Sequence, residues 1–456
     1  MKNFWKNYKS TIILLIAIII GCVAGIIFSN RLEYHNFILE SDSDLSVIEA
    51  SKGSIEFINN IIHTCGLLGD VFLNMLFVII IPLIFLNVTS AICKMEKPKR
   101  LGKIVASIIG VFLVTSLIAV LIGFFSTRIV NLVNTEDGEM IRSSLAEGEG
   151  ELDQDMDIGT KTVNLITVND FSKLFSRDNI IALLIASIIT GIAINMTGEK
   201  GEAFKKVILS ANEVMGNIVK IIMLYAPIGL GCYMASFVGT FGGTIVGGYV
   251  RTFIIYLVVS LLYFFVMYTV FAFIGGGKKG VKNFWKSVLP SAATAIGTCS
   301  SAACIPVNIQ TCKNIGVPDD IAETTVPLGT SFHKDGSIIG SVFKLMFLVC
   351  LFGVALDTPG AILSALGIAL LANLLVTAVP IGGGTISEML IITMMGFPVA
   401  ALPILTVIAT IIDAPATLLN VVGDDVSSMM VARIVDGKKW IDGERIVGKE
   451  EKPKKK

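Results

Sequence analysis

The sequence predicts an all-α polytopic membrane protein, and three observations carry that reading. The chain is 54% hydrophobic and only 16% charged, and its mean hydropathy of +0.78 lies outside the range usual for soluble domains. Apolar runs at 11–28, 71–93 and 252–274 approach or exceed the roughly 20 residues that cross a hydrocarbon core as a helix. After residue 286 the apolar stretches shorten and are interrupted by Ser, Thr, Gly, Pro and ionisable residues. Non-helical backbone at membrane depth survives only where protein covers it or a wet cavity lies beside it, so the second half predicts an internal polar site.

The first run follows Lys2, Lys6 and Lys9 and continues as GCVAGIIF without a polar break, which favours a membrane helix over a cleaved signal segment. Formal net charge is zero, with 36 Lys plus Arg against 36 Asp plus Glu, so no global basic footprint for nucleic acid exists. Eight scattered cysteines without metal-type spacing read as packing residues, and three histidines are too few for a His-based metal site without carboxylates. Basic clusters at 2–9, 94–100, 200–206, 278–286 and 433–456 mark cytoplasmic ends, and acidic stretches at 33–56 and 136–157 read as external loops, which puts both termini inside. Six ordinary crossings follow, near 11–28, 68–93, 103–130, 178–196, 207–238 and 248–275, with a long external loop at 131–177.

Segments 287–312 and 360–398 are too long for one span and carry polar centres, GTCSSAAC (297–304) and VPIGGGTIS (379–387). Each reads as a re-entrant helical hairpin, and their alternation with interrupted helices suggests inverted repeats; two kinked helices are the plainer alternative. In the last apolar segment Asp413, Thr417, Asn420 and Asp424 stand at offsets of four, seven and eleven, on one helical face. Intramembrane carboxylates are costly unless paired or wetted, which makes that face a candidate site, although a polar packing seam would use the same pattern. PLGTSFHKDGSII (327–339) sets His333, Lys334 and Asp335 between apolar stretches, with Gly329 and Gly336 available to break the helix. Unwound carbonyls and Asp335 would suit a cation, whereas Lys334 beside Asp335, Asp424 or Glu388 could replace one or form a purely structural pair. The serine tip Ser300–Ser301 suits a substrate carboxylate at a helix N-terminus, and Gly382, Gly383 and Gly384 permit a movable flap opposite it.

With these motifs the sequence resembles the glutamate/aspartate transporter family, also called the dicarboxylate/amino acid:cation symporters. The resemblance rests on IIPLIFLNVTSAI (80–92), LVTSLIAVLIGFF (113–125), YAPIGL (225–230), the paired serines, PLG...DG (327–336) and D...T..N...D (413–424). It implies eight transmembrane helices, two re-entrant hairpins, and a homotrimer whose transport domain moves like an elevator against a scaffold. The implied parts are 1–70 (first helix and external loop), 71–130 (helices 2–3, the third in the transport domain), 131–177 (acidic loop) and 178–245 (helices 4–5, trimerisation). They continue as 246–312 (helix 6 and first hairpin), 313–357 (broken helix 7), 358–400 (second hairpin), 401–436 (helix 8) and 437–456 (basic tail).

Carried over by residue, the resemblance assigns Asp413 to the substrate amino group and Thr417, Asn420, Ser300, Ser301, Gly382 and Gly384 to substrate contact. It assigns Gly329, Asn420 and Asp424 to one sodium site, and Thr115, Ser116 and Asp335 to another. Two departures stand out. Ala416 occupies the position where acidic-substrate members carry Arg, which argues for a neutral amino acid, and SSAACIPVN (300–308) resembles the serine/threonine symporters. His333 and Lys334 replace the Asn and Met of the family's NMDG. Lys334 in the place of one cation would reduce sodium stoichiometry, His333 would make transport pH-sensitive, and Glu388 is an alternative proton carrier. The expected protein is therefore no enzyme but a secondary transporter of a small amino acid, coupled to Na+, H+ or both, in the bacterial inner membrane. Alternatives are an acidic amino acid or dicarboxylate symporter in which Lys334 supplies the missing positive charge, a channel or receptor, and an intramembrane hydrolase built on Ser300, His333 and Asp335, which lacks a nucleophile motif.

Overall fold

The computed structural model describes residues 2–41, 44–94, 102–129, 132, 167–176, 179–242, 244–374, 383–398 and 401–442. Among these residues the chain is helical and holds no strand. Helices α1 (Lys2–Ser41), α2 (Leu45–Lys94), α4 (Ile180–Thr197) and α5 (Glu202–Phe241) pack on one another. The second group comprises α3 (Gly102–Ile129), α6 (Thr244–Leu262) and its continuation α7 (Tyr268–Ser287), α8 (Leu289–Thr298), α9 (Ser301–Ile315), α10 (Asp319–Phe332), α11 (Asp335–Leu351), α12 (Pro359–Leu374) and α13 (Gly383–Met395). All of them except α12 pack directly on α14 (Leu402–Asp436), which is buried along most of its length.

Five stretches among the described residues are long and apolar enough to cross a membrane: Ile12–Ser41, Lys103–Ile129, Ile185–Thr240, Val246–Ser287 and Leu402–Asp436. The expected fourth and fifth crossings fall in one of these, separated by Gly198 at φ 63° and a 3-10 turn over Gly198–Gly201. The expected second crossing lies inside α2, whose 50 residues extend far beyond it. Isolated exposed Ile, Leu, Val and Phe side chains along α1, α3 and α6, such as Ile19, Leu117 and Ile254, are what a lipid-facing surface provides.

The acidic stretch 33–56, expected as a loop, is helical on both sides of residues 42–43. It contains no proline, and Asp44 accepts from the Ser46 amide at 2.9 Å, the short-range bond that starts a helix. Charge marked this stretch as external; it did not decide its backbone. Most of 131–177 lies outside the described residues, apart from Leu132 and the segment from Thr167 to Ser176, which holds the one-turn helix Phe171–Leu174.

Helices α8 and α9 form a helix–turn–helix around Cys299, at φ 46°, and Ser300, whose hydroxyl caps α9 by accepting from the Ala303 amide at 3.4 Å. Between α6 and α7 a π-helical turn, Tyr263–Met267, re-aims the helix so that Tyr263 and Tyr268 are both buried. The chain between α10 and α11 is broken at His333, which adopts extended backbone, and at Lys334, which is also non-helical. The expectation that Gly329 and Gly336 make this break is corrected: each lies within a helix. Their missing side chains serve close approach instead, since a Cβ on Gly329 would collide with the Asp424 carboxylate and one on Gly336 with the Ala416 carbonyl.

Candidate functional site

Three helices and the α10–α11 break converge on α14. The break is held by Tyr256, which donates to the Gly336 carbonyl at 2.8 Å, and by Tyr263, which donates to Asp335 Oδ2 at 3.1 Å. A cavity of about 120 Å3 opens beside it, lined by Lys334, by Ser337, Gly340 and Lys344 of α11, by Asn373 and Ser387, and by Ala409, Ile412, Asp413 and Ala416 of α14. A larger depression of about 540 Å3 between α1 and α6 is open, mainly apolar and free of the candidate residues. The smaller polar cavity is the one with chemistry.

Asp413 supplies a carboxylate to this cavity, and Ala416, one turn on, presents only a methyl group. Pro415 interrupts the helix ladder between them, because proline has no N–H to give the Ile411 carbonyl. Such a wall can hold an ammonium group through Asp413 and leaves apolar space where an Arg would reach a second carboxylate. Lys334 and Lys344 add positive charge on the opposite lining. Lys344 is engaged with Glu388, Nζ to Oε1 at 3.4 Å, and Glu388 Oε2 accepts from Thr406 at 2.9 Å. Ser387 bonds Ser341 at 3.1 Å, and Asn373 donates to Ser341, so α11, α12 and α13 are tied by one buried polar network.

Behind the cavity lies a second cluster, centred on His333. Its ring is fully buried and stacked on Phe112, with centroids 4.4 Å apart and planes 17° apart. Nε2 is 2.8 Å from Thr115 Oγ1 and 3.1 Å from Asp335 Oδ1, and Nδ1 is 3.2 Å from Asp424 Oδ1. The Asp335 Oδ1 contact is an ion pair rather than an aligned hydrogen bond; the directed partner of Nε2 is Thr115. The Thr115 hydroxyl also lies within hydrogen-bond distance of the Val111 and Phe112 carbonyls. His333 thus stands between the Asp335 and Asp424 carboxyls, with Thr115 at one ring nitrogen and Asp424 at the other.

The one-face reading of Asp413, Thr417, Asn420 and Asp424 divides in the structure. Asp413 faces the cavity, Thr417 is buried, and Asn420 exchanges two hydrogen bonds with Ser337, accepting from its amide at 3.1 Å and donating to its hydroxyl at 2.9 Å. Asp424 is buried against His333. Gly329 gives its carbonyl to the His333 amide at 2.8 Å. Ser116 is buried, with no hydrogen-bond partner for its hydroxyl among the described residues. Ser300 and Ser301 sit at the α8–α9 turn rather than in the cavity lining. Gly382 lies outside the described residues, and Gly384 is in the first turn of α13. His333 packs among Thr115, Asp335 and Asp424, residues the resemblance offers as cation ligands, and Lys334 lines the cavity. Glu388, the alternative proton carrier, is paired with Lys344.

The sequence profile of the sodium:dicarboxylate symporter family matches residues 11–434. The chain belongs to that family. Its members are cation-coupled transport proteins, not enzymes. Among its relatives are a proton/sodium-glutamate symport protein of Geobacillus stearothermophilus, 26% identical over 80% of this chain and 86% of the relative. Another is the L-cystine uptake protein TcyP of Shouchella clausii, 27% identical over 92% and 88%. A third is a C4-dicarboxylate transport protein of Caulobacter vibrioides, 27% identical over 80% and 88%.

Within this symporter, two residues join the site that sequence reasoning passed over. Lys344 was visible as a lone cation in the apolar run IIGSVFKLMFLV, which is an intramembrane signal in itself. Asp425, next to Asp424, is fully buried; Oδ1 takes the Cys312 thiol at 3.3 Å, and Oδ2 has no hydrogen-bond partner among the described residues.

Proposed function

We propose that this symporter carries a small neutral amino acid across the bacterial inner membrane, coupled to a cation gradient. The observation that carries the reading is the pairing of Asp413 with Ala416 in one small cavity: an anchor for an amino group, without the family's Arg for a side-chain carboxylate. Serine or alanine, with a compact side chain, suits the cavity better than a long one. The Ser300–Ser301 turn is proposed to receive the substrate carboxylate, with Thr417 and Asn420 in contact and the Gly382–Gly384 stretch as the flap.

The architecture that accompanies this function is proposed as well. It consists of eight transmembrane helices with two re-entrant hairpins, 287–312 and 360–398, in an elevator-type homotrimer whose termini are both cytoplasmic. The packing of α3, α6–α11 and α13 on α14, and of α1, α2, α4 and α5 mainly on one another, supports a moving and a fixed group. A second reading, an acidic amino acid, is favoured by one observation: Lys334 and Lys344 both line the cavity and could face a second carboxylate. Uptake of labelled L-serine into proteoliposomes, competed by alanine, aspartate and succinate, separates the two. Displacement by aspartate or succinate but not alanine would reject the neutral reading.

A further inference from the structure

We propose that the His333 side chain is a built-in replacement for sodium: it fills the space among Thr115, Asp335 and Asp424, so no sodium ion binds there. The inference deepens the proposed symport function and rests on it only for its transport consequence.

The argument is one of occupancy. Hard cations with oxygen ligands sit about 2.0–2.6 Å from each ligand atom. The His333 ring already lies 2.8 Å from Thr115 Oγ1, 3.1 Å from Asp335 Oδ1 and 3.2 Å from Asp424 Oδ1. An ion at ligand distance from these three oxygens would overlap the ring. Phe112 stacks on one face of the ring, and Gly423 packs near its Cε1, where an added Cβ would come within 3.1 Å. Of the remaining expected ligands, Asp335 Oδ2 accepts from Tyr263, the Gly329 carbonyl from the His333 amide, and Asn420 exchanges hydrogen bonds with Ser337, while the Ser116 hydroxyl has no hydrogen-bond partner among the described residues.

The ring takes the position between the two buried carboxyls that a cation would otherwise occupy. It is covalently part of α10–α11 and travels with it, so it contributes nothing to coupling. The cation that drives uptake binds elsewhere or is a proton.

The test uses the purified full-length protein and sodium itself as the probe, as the shift in Tm between sodium chloride and choline chloride at equal ionic strength. Wild type is expected to show no sodium-specific shift, or one that Thr115→Ala leaves intact. H333N, which removes the ring, is expected to gain a sodium-specific rise of about 2 °C or more. A wild-type shift abolished by Thr115→Ala would overturn the proposal, as would a folded H333N that gains none; if H333N does not fold, the wild-type and Thr115→Ala arm decides. Gradient-driven uptake of L-serine by wild-type proteoliposomes is measured in parallel. Its absence under sodium, proton and potential gradients alike would reject the transport reading while leaving the occupancy result standing.

Discussion

Replacing Lys344 by Met keeps the length of the side chain and removes its charge, leaving Glu388 buried without its cation. The two side chains are 6% and 1% exposed, and their charged atoms are 3.4 Å apart. At an effective dielectric of about 20, unit charges at that distance attract by about 5 kcal/mol. Part of this is offset in the variant, because Glu388 keeps its hydrogen bond from Thr406 and borders a polar cavity. The expected loss is therefore about 3 kcal/mol, at the lower end for breaking a buried pair. E388Q should cost less, about 2 kcal/mol, since the amide still accepts from Lys344. The double variant K344M/E388L should recover most of the stability, because the expense lies in the unpaired charge rather than in the absence of the pair. Thermal unfolding of the purified protein, compared across the cycle, reads this directly. A K344M Tm equal to wild type, or a double variant less stable than both singles, would refute the reasoning.

Further outcomes follow from the same geometry. Asp413→Asn removes the proposed ammonium anchor while keeping its shape, and L-serine affinity should fall about a hundredfold or more, measured by binding to detergent-purified protein. Ala416→Arg should shift competition from alanine towards aspartate, seen as reversed inhibition of labelled uptake. Gly329→Ala drives a methyl group into the Asp424 carboxylate and should abolish uptake and lower Tm, with a cost of about 1–3 kcal/mol for overpacking. Asp425→Asn should match wild-type stability or exceed it by about 1 kcal/mol, because it swaps a buried carboxylate with an unsatisfied oxygen for a neutral amide; a large drop in Tm would show that the charge is used.

The helical class, the crowded second half and the α14 face were legible because periodicity and intramembrane charge report on single segments. Asp413 and Asp424 could be placed on one face from their spacing alone. What that spacing could not provide was the neighbour each one meets. Asp413 meets a cavity, whereas Asp424 meets a ring 91 residues earlier in the chain that also touches Thr115, 218 residues before it. The same limit explains Lys334 and His333. These two adjacent residues of the break meet different surroundings, Lys334 the cavity and His333 the carboxylates, and the sequence offered no means of choosing which. Lys344 and Glu388 form their bridge across α11 and α13, a pairing no local pattern announces. The glycines misled in the other direction: Gly329 and Gly336 carry the composition of a helix break but are there for the close approach of α10 and α11 to α14.

Gradient-driven uptake of a neutral amino acid through the Asp413 cavity is tested most directly by concentrative uptake of labelled L-serine into proteoliposomes under an imposed cation gradient, for wild type and Asp413→Asn side by side. Accumulation by wild type that collapses when the gradient is dissipated, is inhibited by alanine but not by succinate, and is absent in Asp413→Asn is the predicted result. Equal accumulation by both proteins, or succinate displacing the label where alanine does not, would contradict it.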